Sequence, residues 1–167
     1  MMWSKLKKKI EDNICDKLKK RITVFSTKYS MWHDEYGRSS LMLDNKEILI
    51  ASEVKHWKEY KKAREELLKT GKYTKPSIVH GSTADQVAER IVYKRGIFSD
   101  GDFRKSLWNY LSMSIDRALA SDNVIIKALA IVDKRAGKRR LKKLNIKDDD
   151  HELIKKFYKL RCEAEGL

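Results

Sequence analysis

Proline is nearly missing from this chain: Pro76 stands alone in 167 residues, beside only seven glycines. So few chain-breakers argue against an all-β fold and against a disordered chain. Cysteine is scarce as well. Cys15 and Cys162 lie at opposite ends, with no CxxC pair and no Cys/His spacing that suits zinc. They are expected to be free thiols in a reducing cytoplasm, and no metal or other cofactor is implied. No apolar run approaches the ~20 residues needed to cross a bilayer, so membrane insertion is not expected. Acids, rather than an apolar segment, follow Met1-Met-Trp-Ser-Lys-Leu-Lys-Lys-Lys9, so a signal peptide is not expected.

Charge is what the chain has in abundance. Charged residues make up 37%, against about 25% in ordinary globular proteins. Lysine and arginine number 38 against 24 acids, for a net charge of +14. That balance speaks to partners rather than fold: nucleic acid, an acidic protein or an anionic surface. The length fits one domain with room for a small subdomain, and it can bury roughly 70% of its unfolded surface without a disulfide or metal.

Apolar periodicity gives the organisation. Trp3, Leu6, Ile10, Ile14 and Leu18 step by three and four, which predicts a helix over 3–20. Residues 22–29 are β-branched and aromatic and read as a strand. Met31 to Gly37 reads as a loop. Two apolar runs, 39–43 and 47–51, are joined by Asp44-Asn45, a two-residue hairpin turn. Ser52 then caps a helix ended by Gly71, with Val54, Trp57, Ala63 or the Arg64 stem, Leu67 and Leu68 turned inward.

Residues 72–82 form a linker. Beyond it, Thr83-Ala-Asp-Gln86 is a capping box, and Ser99 caps a longer helix running to Leu119. An apolar helix over Val124–Val132 follows, and Asp148–Asp150 caps a last one. The expected fold is α+β: an N-terminal α-β-β-β-α unit (1–71) with a small antiparallel sheet, the linker, and a mainly helical region of about four helices (83–167), the parts packed as one domain. Oligomeric state is not legible.

The densest signal is Lys134-Arg-Ala-Gly-Lys-Arg-Arg-Leu-Lys-Lys143, seven cations and no acid, one residue beyond the most apolar stretch. If the helix continued through 144, Lys134, Arg135, Lys138, Arg139, Lys142 and Lys143 would sweep one half of its surface, with Arg140 between. Gly137, Leu141 and Leu144 would face the body. A phosphate backbone would relieve the repulsion among these charges and release counterions, and the arginines could grip phosphate bidentately. No helix-turn-helix, RNA-recognition or zinc-finger signature accompanies the tract. Backbone contact to DNA or RNA is therefore the leading expectation, without base readout. An acidic protein partner is the alternative.

Two further groups carry candidate chemistry. His33-Asp34-Glu35 concentrates catalytic residue types, and Trp32 and Arg38 beside it could stack on a base and hold a phosphate. The order helix, three strands, helix is also found in double-stranded RNA-binding domains and in the opening of PD-(D/E)xK nucleases. In the latter, Asp34 or Asp44 would join Glu53-Val-Lys55, two carboxylates holding Mg²⁺ and a lysine on the attacked phosphate. Pairing Leu43 with Lys46 gives partner numbers summing to 89, which sets Asp34 opposite Lys55 and Tyr36 opposite Glu53. That reading needs the strand to reach residue 55, where helical periodicity has already begun.

Trp3-Ser-Lys-Leu-Lys-Lys8, His33-Asp-x-x-Gly37-Arg38, Asp44-x-Lys-Glu-Ile48 and Leu129-Ala-Ile-Val-Asp-Lys-Arg-Ala-Gly-Lys-Arg-Arg-Leu141 together resemble a family of small, basic, uncharacterised bacterial proteins. The resemblance spans most of the chain. It implies a bacterial cytoplasmic protein and lends no reaction, cofactor or catalytic residue.

Overall fold

The N-terminal pattern folds as helix α1 (Trp3–Asn13), which ends well before residue 20. Periodicity alone would carry it on. It stops because the next residues pair with a distant segment: Ile14 forms a β-bridge with Asp133, and the Cys15 N–H donates to the Val132 carbonyl at 2.9 Å. A 3-10 turn at Asp16–Leu18 then turns Leu18 into the core. The computed structural model describes residues 2–28, 37–73 and 83–167.

Three strands follow, β1 (Ile22–Lys28), β2 (Gly37–Leu43) and β3 (Lys46–Ser52), in an antiparallel sheet ordered β1-β2-β3. The turn between β2 and β3 is Asp44-Asn45, both at positive φ (49° and 63°), the conformation that matches strand twist in a two-residue hairpin. Arg21 clamps that turn by donating to both Asp44 carboxylate oxygens at 2.8 Å. This hydrogen bond holds the Asp44 carboxyl below its ordinary range.

Alternation sets the faces. Val24, Leu41 and Leu49 lie in one cross-strand row and are buried; Phe25, Ser40 and Ile50 form the next row, on the outer face, with Phe25 and Ile50 exposed. The outer edge of β1 is blocked at Val24 by α1: Lys7 Nζ donates to its carbonyl and its N–H donates to Glu11. Such side chains stand where another strand could add.

The remainder is helical: α2 (Glu53–Lys69), α3 (Thr83–Lys94), α4 (Asp100–Ser112), α5 (Ile115–Leu119), α6 (Val124–Val132), α7 (Lys138–Lys143) and α8 (Glu152–Glu165). The single helix expected from Ser99 to Leu119 is two, because Ser114 accepts from the Arg117 N–H and caps a new start. Helices α1 and α4 pack on the inner face of the sheet. Helix α6 is buried at eight of its nine positions, among α4, α5 and α8. Residues on both sides of 74–82 enter one core cluster that includes Val24, Leu41, Phe103 and Leu129.

Helix α2 buries only part of the stripe that periodicity suggested. It packs on α3 through Tyr60, Ala63 and Leu67, against Ala88, Ile91 and Val92. Val54 and Trp57, expected in the core, are 66% and 56% exposed. Ala63 and Leu67 turn inward as expected, whereas the first two residues of the stripe lie outside the contact with α3.

Helix α8 is capped by His151, not by Asp148–Asp150: His151 Nδ1 accepts the Leu153 N–H at 3.1 Å. Its ring fills the space over Gly96, at φ 69°, where a Cβ would stand 2.2 Å from His151 Nε2. Burial lowers the His151 pKa from 6.5, against a hydrogen bond to the Arg95 backbone and the Glu152 carboxylate, which raise it. The unfolded chain therefore binds this proton at higher pH than the folded one. Stability falls as pH drops from 6.5 through the lowered value. Protonation also removes the capping acceptor. We expect His151→Asn, which keeps a capping oxygen, to show a flatter stability-versus-pH curve between pH 7 and 5 than the parent in urea titrations. Parallel curves would exclude this role for His151.

Candidate polyanion interface

The basic tract does not continue α6. The helix ends at Val132, and Asp133, a wholly buried carboxylate, opens a turn that runs to the Gly137 N-cap of α7. Asp133 accepts from Tyr110 Oη and from the Arg135 N–H (2.7 Å), Nε (2.9 Å) and Nη2 (2.6 Å). Burial, and then the Asp133 charge, hold the Tyr110 phenol in its protonated form far above the ordinary tyrosine range. Ala136 and Leu141 are the residues of the segment that anchor in the core, and Gly137 is exposed.

Three helix C-termini meet at this turn. Helix α1 presents the carbonyls of Asp12 and Asn13, α6 that of Val132, and α8 those of Ala164 and Glu165. Lys134 donates through Nζ to Asp12 and through its N–H to Asn13. Lys138 Nζ donates to the Glu165 carbonyl and Lys17 Nζ to that of Ala164, both at 2.6 Å. The buried Arg161 donates to Val132 (3.5 Å) and Ala136 (3.1 Å) and pairs with Glu165 at 3.2 Å. Arg140 leaves in another direction and grips Asp116 at 2.7 and 3.1 Å, holding that carboxyl below its ordinary value.

Four of the seven tract cations, Lys134, Arg135, Lys138 and Arg140, are thus committed to the protein's own acids and helix ends. The half-cylinder of six charges does not form. Arg139, Lys142 and Lys143 are exposed and have no ion pair among the described residues. They are joined by cations that the sequence reading passed over. Lys142 and Lys159 of α8 line one cleft of about 1010 Å³, with Tyr158, Cys162, Glu163, Gly166 and Leu167. Lys159 also lines the neighbouring recess of about 600 Å³, with Lys155, Lys156, Glu47, Glu152 and Ile48. Lys155 pairs with Glu152; Lys156 and Lys159 have no ion pair among the described residues. The signal was Lys155-Lys156-x-x-Lys159, whose spacing puts cations on the helix face opposite Leu153, Ile154 and Phe157. Tyr158 Oη donates to the Leu141 carbonyl and ties the two helices together.

The other candidates are dispersed. Trp32, His33, Asp34 and Glu35 lie outside the described residues. Arg38 reaches along the outer face of the sheet to pair with Glu47. Glu53 and Lys55 are not on a strand: β3 ends at Ser52, and both sit in the first turn of α2. Two residues apart on a helix, they point about 200° apart. The pairing also changes. Leu43↔Lys46 and Met42↔Glu47 keep the expected sum of 89, but Leu41↔Leu49 and Arg38↔Ser52 sum to 90, because a bulge intervenes. The arrangement needed for a PD-(D/E)xK centre is therefore not built at Glu53 and Lys55. No group of three or more metal-ligating side chains occurs among the described residues.

One polar cluster was not anticipated. Asp100, at the start of α4, accepts from Ser39 Oγ and pairs with Arg104 at 2.9 Å; Arg104 also donates to Ser26 at 2.5 Å and lies over the Trp3 ring. Position 37 is glycine because a Cβ there would stand 2.6 Å from Asp100 Oδ2. The cluster locks the end of the sheet to α4.

The fold and surface define a helix-rich α+β protein with a cationic α7–α8 face. The family model of the SF0329 protein family matches residues 2–162, and the chain belongs to that family. No curated protein and no solved structure matches the chain.

The division of the tract into committed and free cations is testable through stability. Arg135→Ala leaves the buried Asp133 without its charge partner. The expected cost is about 2–4 kcal/mol, discounted from the fully buried case because the Arg135 side chain is 36% exposed. Arg139→Ala, four residues on, is expected to change stability by no more than about 0.5 kcal/mol. Equal costs in chemical denaturation would contradict the division.

Proposed function

We propose that the protein binds the phosphate backbone of nucleic acid across the α7–α8 face, through Arg139, Lys142, Lys143, Lys156 and Lys159. The observation that carries this reading is the cleft bracketed by Lys142 and Lys159, where cations from two helices face one recess with neither in an ion pair among the described residues. Holding like charges together costs free energy unless an anion is bound, and a polyanion returns that cost through counterion release. Arg139 adds a planar fork suited to a phosphate. Nothing in the arrangement reads a base edge, so contact is to the backbone.

Binding to mixed-sequence DNA and RNA should weaken steeply with salt. Five phosphate contacts lose roughly 2–3 decades of affinity between about 50 and 200 mM monovalent salt. Replacing Lys142, Lys143, Lys156 and Lys159 together with Gln should lower the slope of log K against log salt by about 3–4, with folding intact. Cys162, partly buried in the cleft, provides a second readout. Its alkylation by a maleimide should slow when nucleic acid is bound. Absence of binding at low salt, or an unchanged slope in the quadruple variant, rules the reading out.

A further inference from the structure

The largest apolar side chains that the fold leaves in solvent on α2 are Val54 and Trp57, 66% and 56% exposed. They are not isolated. With Glu53, His56, Lys58 and Lys61 they line a recess of about 680 Å³, within the ~300–1,000 Å³ span of small-ligand clefts. The indole is braced from within its own helix: Tyr60 stacks beside it at 5.6 Å and 14°, and the Lys61 ammonium sits 4.9 Å from the ring centroid. The brace runs deeper. His56 stacks on Tyr60 and Tyr93, and Tyr93 on Phe98, a buried ring. Tyr60 is in turn fixed by donating to Asp85 at 2.8 Å. An exposed tryptophan is thus held at the end of a ladder of rings that reaches the core. Lys58 and Lys61 line the recess against one acid, Glu53, and the same stretch of helix carries Lys55, Lys62 and Glu59, the last paired with Arg95 at 3.9 Å.

We propose that Trp57 is a stacking platform for an unpaired base of single-stranded nucleic acid, with Lys58 and Lys61 holding the flanking phosphates. The inference rests on the nucleic-acid reading but uses a different surface. A planar ring with cations at its rim matches a nucleotide, which is apolar on its faces and anionic at its edge. Lys61 already rests over the indole; an arriving base takes that face, and the ammonium moves to the phosphate beside it. A base within a duplex is covered on both faces by its neighbours, so only an unpaired one can reach the ring. Two exposed apolar side chains flanked by Lys58, Lys61 and Glu53 form neither an apolar groove for a peptide helix nor a face long enough to lie in a bilayer.

The test compares a single-stranded oligothymidine of about 15 nucleotides with a duplex of the same length, at low salt. Single strand should quench tryptophan emission in the parent protein, and Trp57→Phe should remove the quench that the duplex never produces. Trp57→Ala, a surface change, should weaken single-strand binding by roughly 5- to 150-fold, the size of one base–aromatic stack, and leave duplex binding as it was. The Gln variants of α7 and α8 should weaken both forms. If both forms bind and Trp57→Ala alters neither, the platform is overturned while backbone binding by α7–α8 stands. If neither form binds, both readings fall. A Trp57 emission shift with vesicles of anionic phospholipid, and none with oligonucleotide, would assign the patch to a membrane surface and overturn the proposal.

Discussion

Three helix C-termini point at one turn. Each carries unsatisfied carbonyls and the equivalent of about half a negative charge, and each needs donors. Asp133 adds a full negative charge to the same place and is completely buried. Most of the chain depends on how that concentration is met. Lys134 closes α1, Lys138 and Lys17 close α8, Arg161 closes α6, and Arg135 with Tyr110 satisfies Asp133. Without those donors, α1 could not end beside α6, and the Ile14–Asp133 bridge that joins the N-terminal helix to the helical half would be unfavourable. Part of the tract's positive charge is therefore a requirement of folding.

Much of the fold was legible because it rests on local signals. The hairpin turn is such a case: Asp44 and Asn45 both tolerate positive φ, and the structure places both there. Ser99 as a cap is another, since its hydroxyl accepts the Asp102 N–H as expected. The errors arose where a tertiary contact overrode a local preference. Nothing in Ile14 or Asp133 alone says that α1 and α6 must stop; each stops because it pairs with the other. The register of β2 and β3 was right at the turn and wrong beyond it, because a bulge leaves no mark in composition.

The candidate sites show the same limit. Periodicity reports that a helix has an apolar stripe, not how much of it a neighbour covers. In α2, Val54, Trp57, Ala63 and Leu67 fall in one expected stripe, and α3 covers only Ala63 and Leu67 of these. In α8, Leu153, Ile154 and Phe157 mark the buried face, and the lysines occupy the opposite one. A pairwise surface across α7 and α8 could not be read from either segment alone, since Lys142 and Lys159 meet only through the packing of Leu141 and Tyr158.

The remaining question is whether the free cations are a by-product of supplying the committed ones. The chain has 24 acids and uses them close by: Asp116 takes Arg140, Glu152 takes Lys155, and Glu165 takes Arg161. Among the described residues, none lies within ion-pair distance of Arg139, Lys142, Lys143, Lys156 or Lys159. Glu163 enters the cleft beside Lys142 and Lys159 without pairing with either. An acid at a few of these positions would neutralise the face at no cost to the helix ends, because Lys134, Lys138 and Lys17 already close them. Folding accounts for the inward half of the basic segment and leaves the outward half unexplained. The proposed polyanion would supply the missing counter-charge, and the proposal rests on this remainder and not on the seven charges of the tract as a whole.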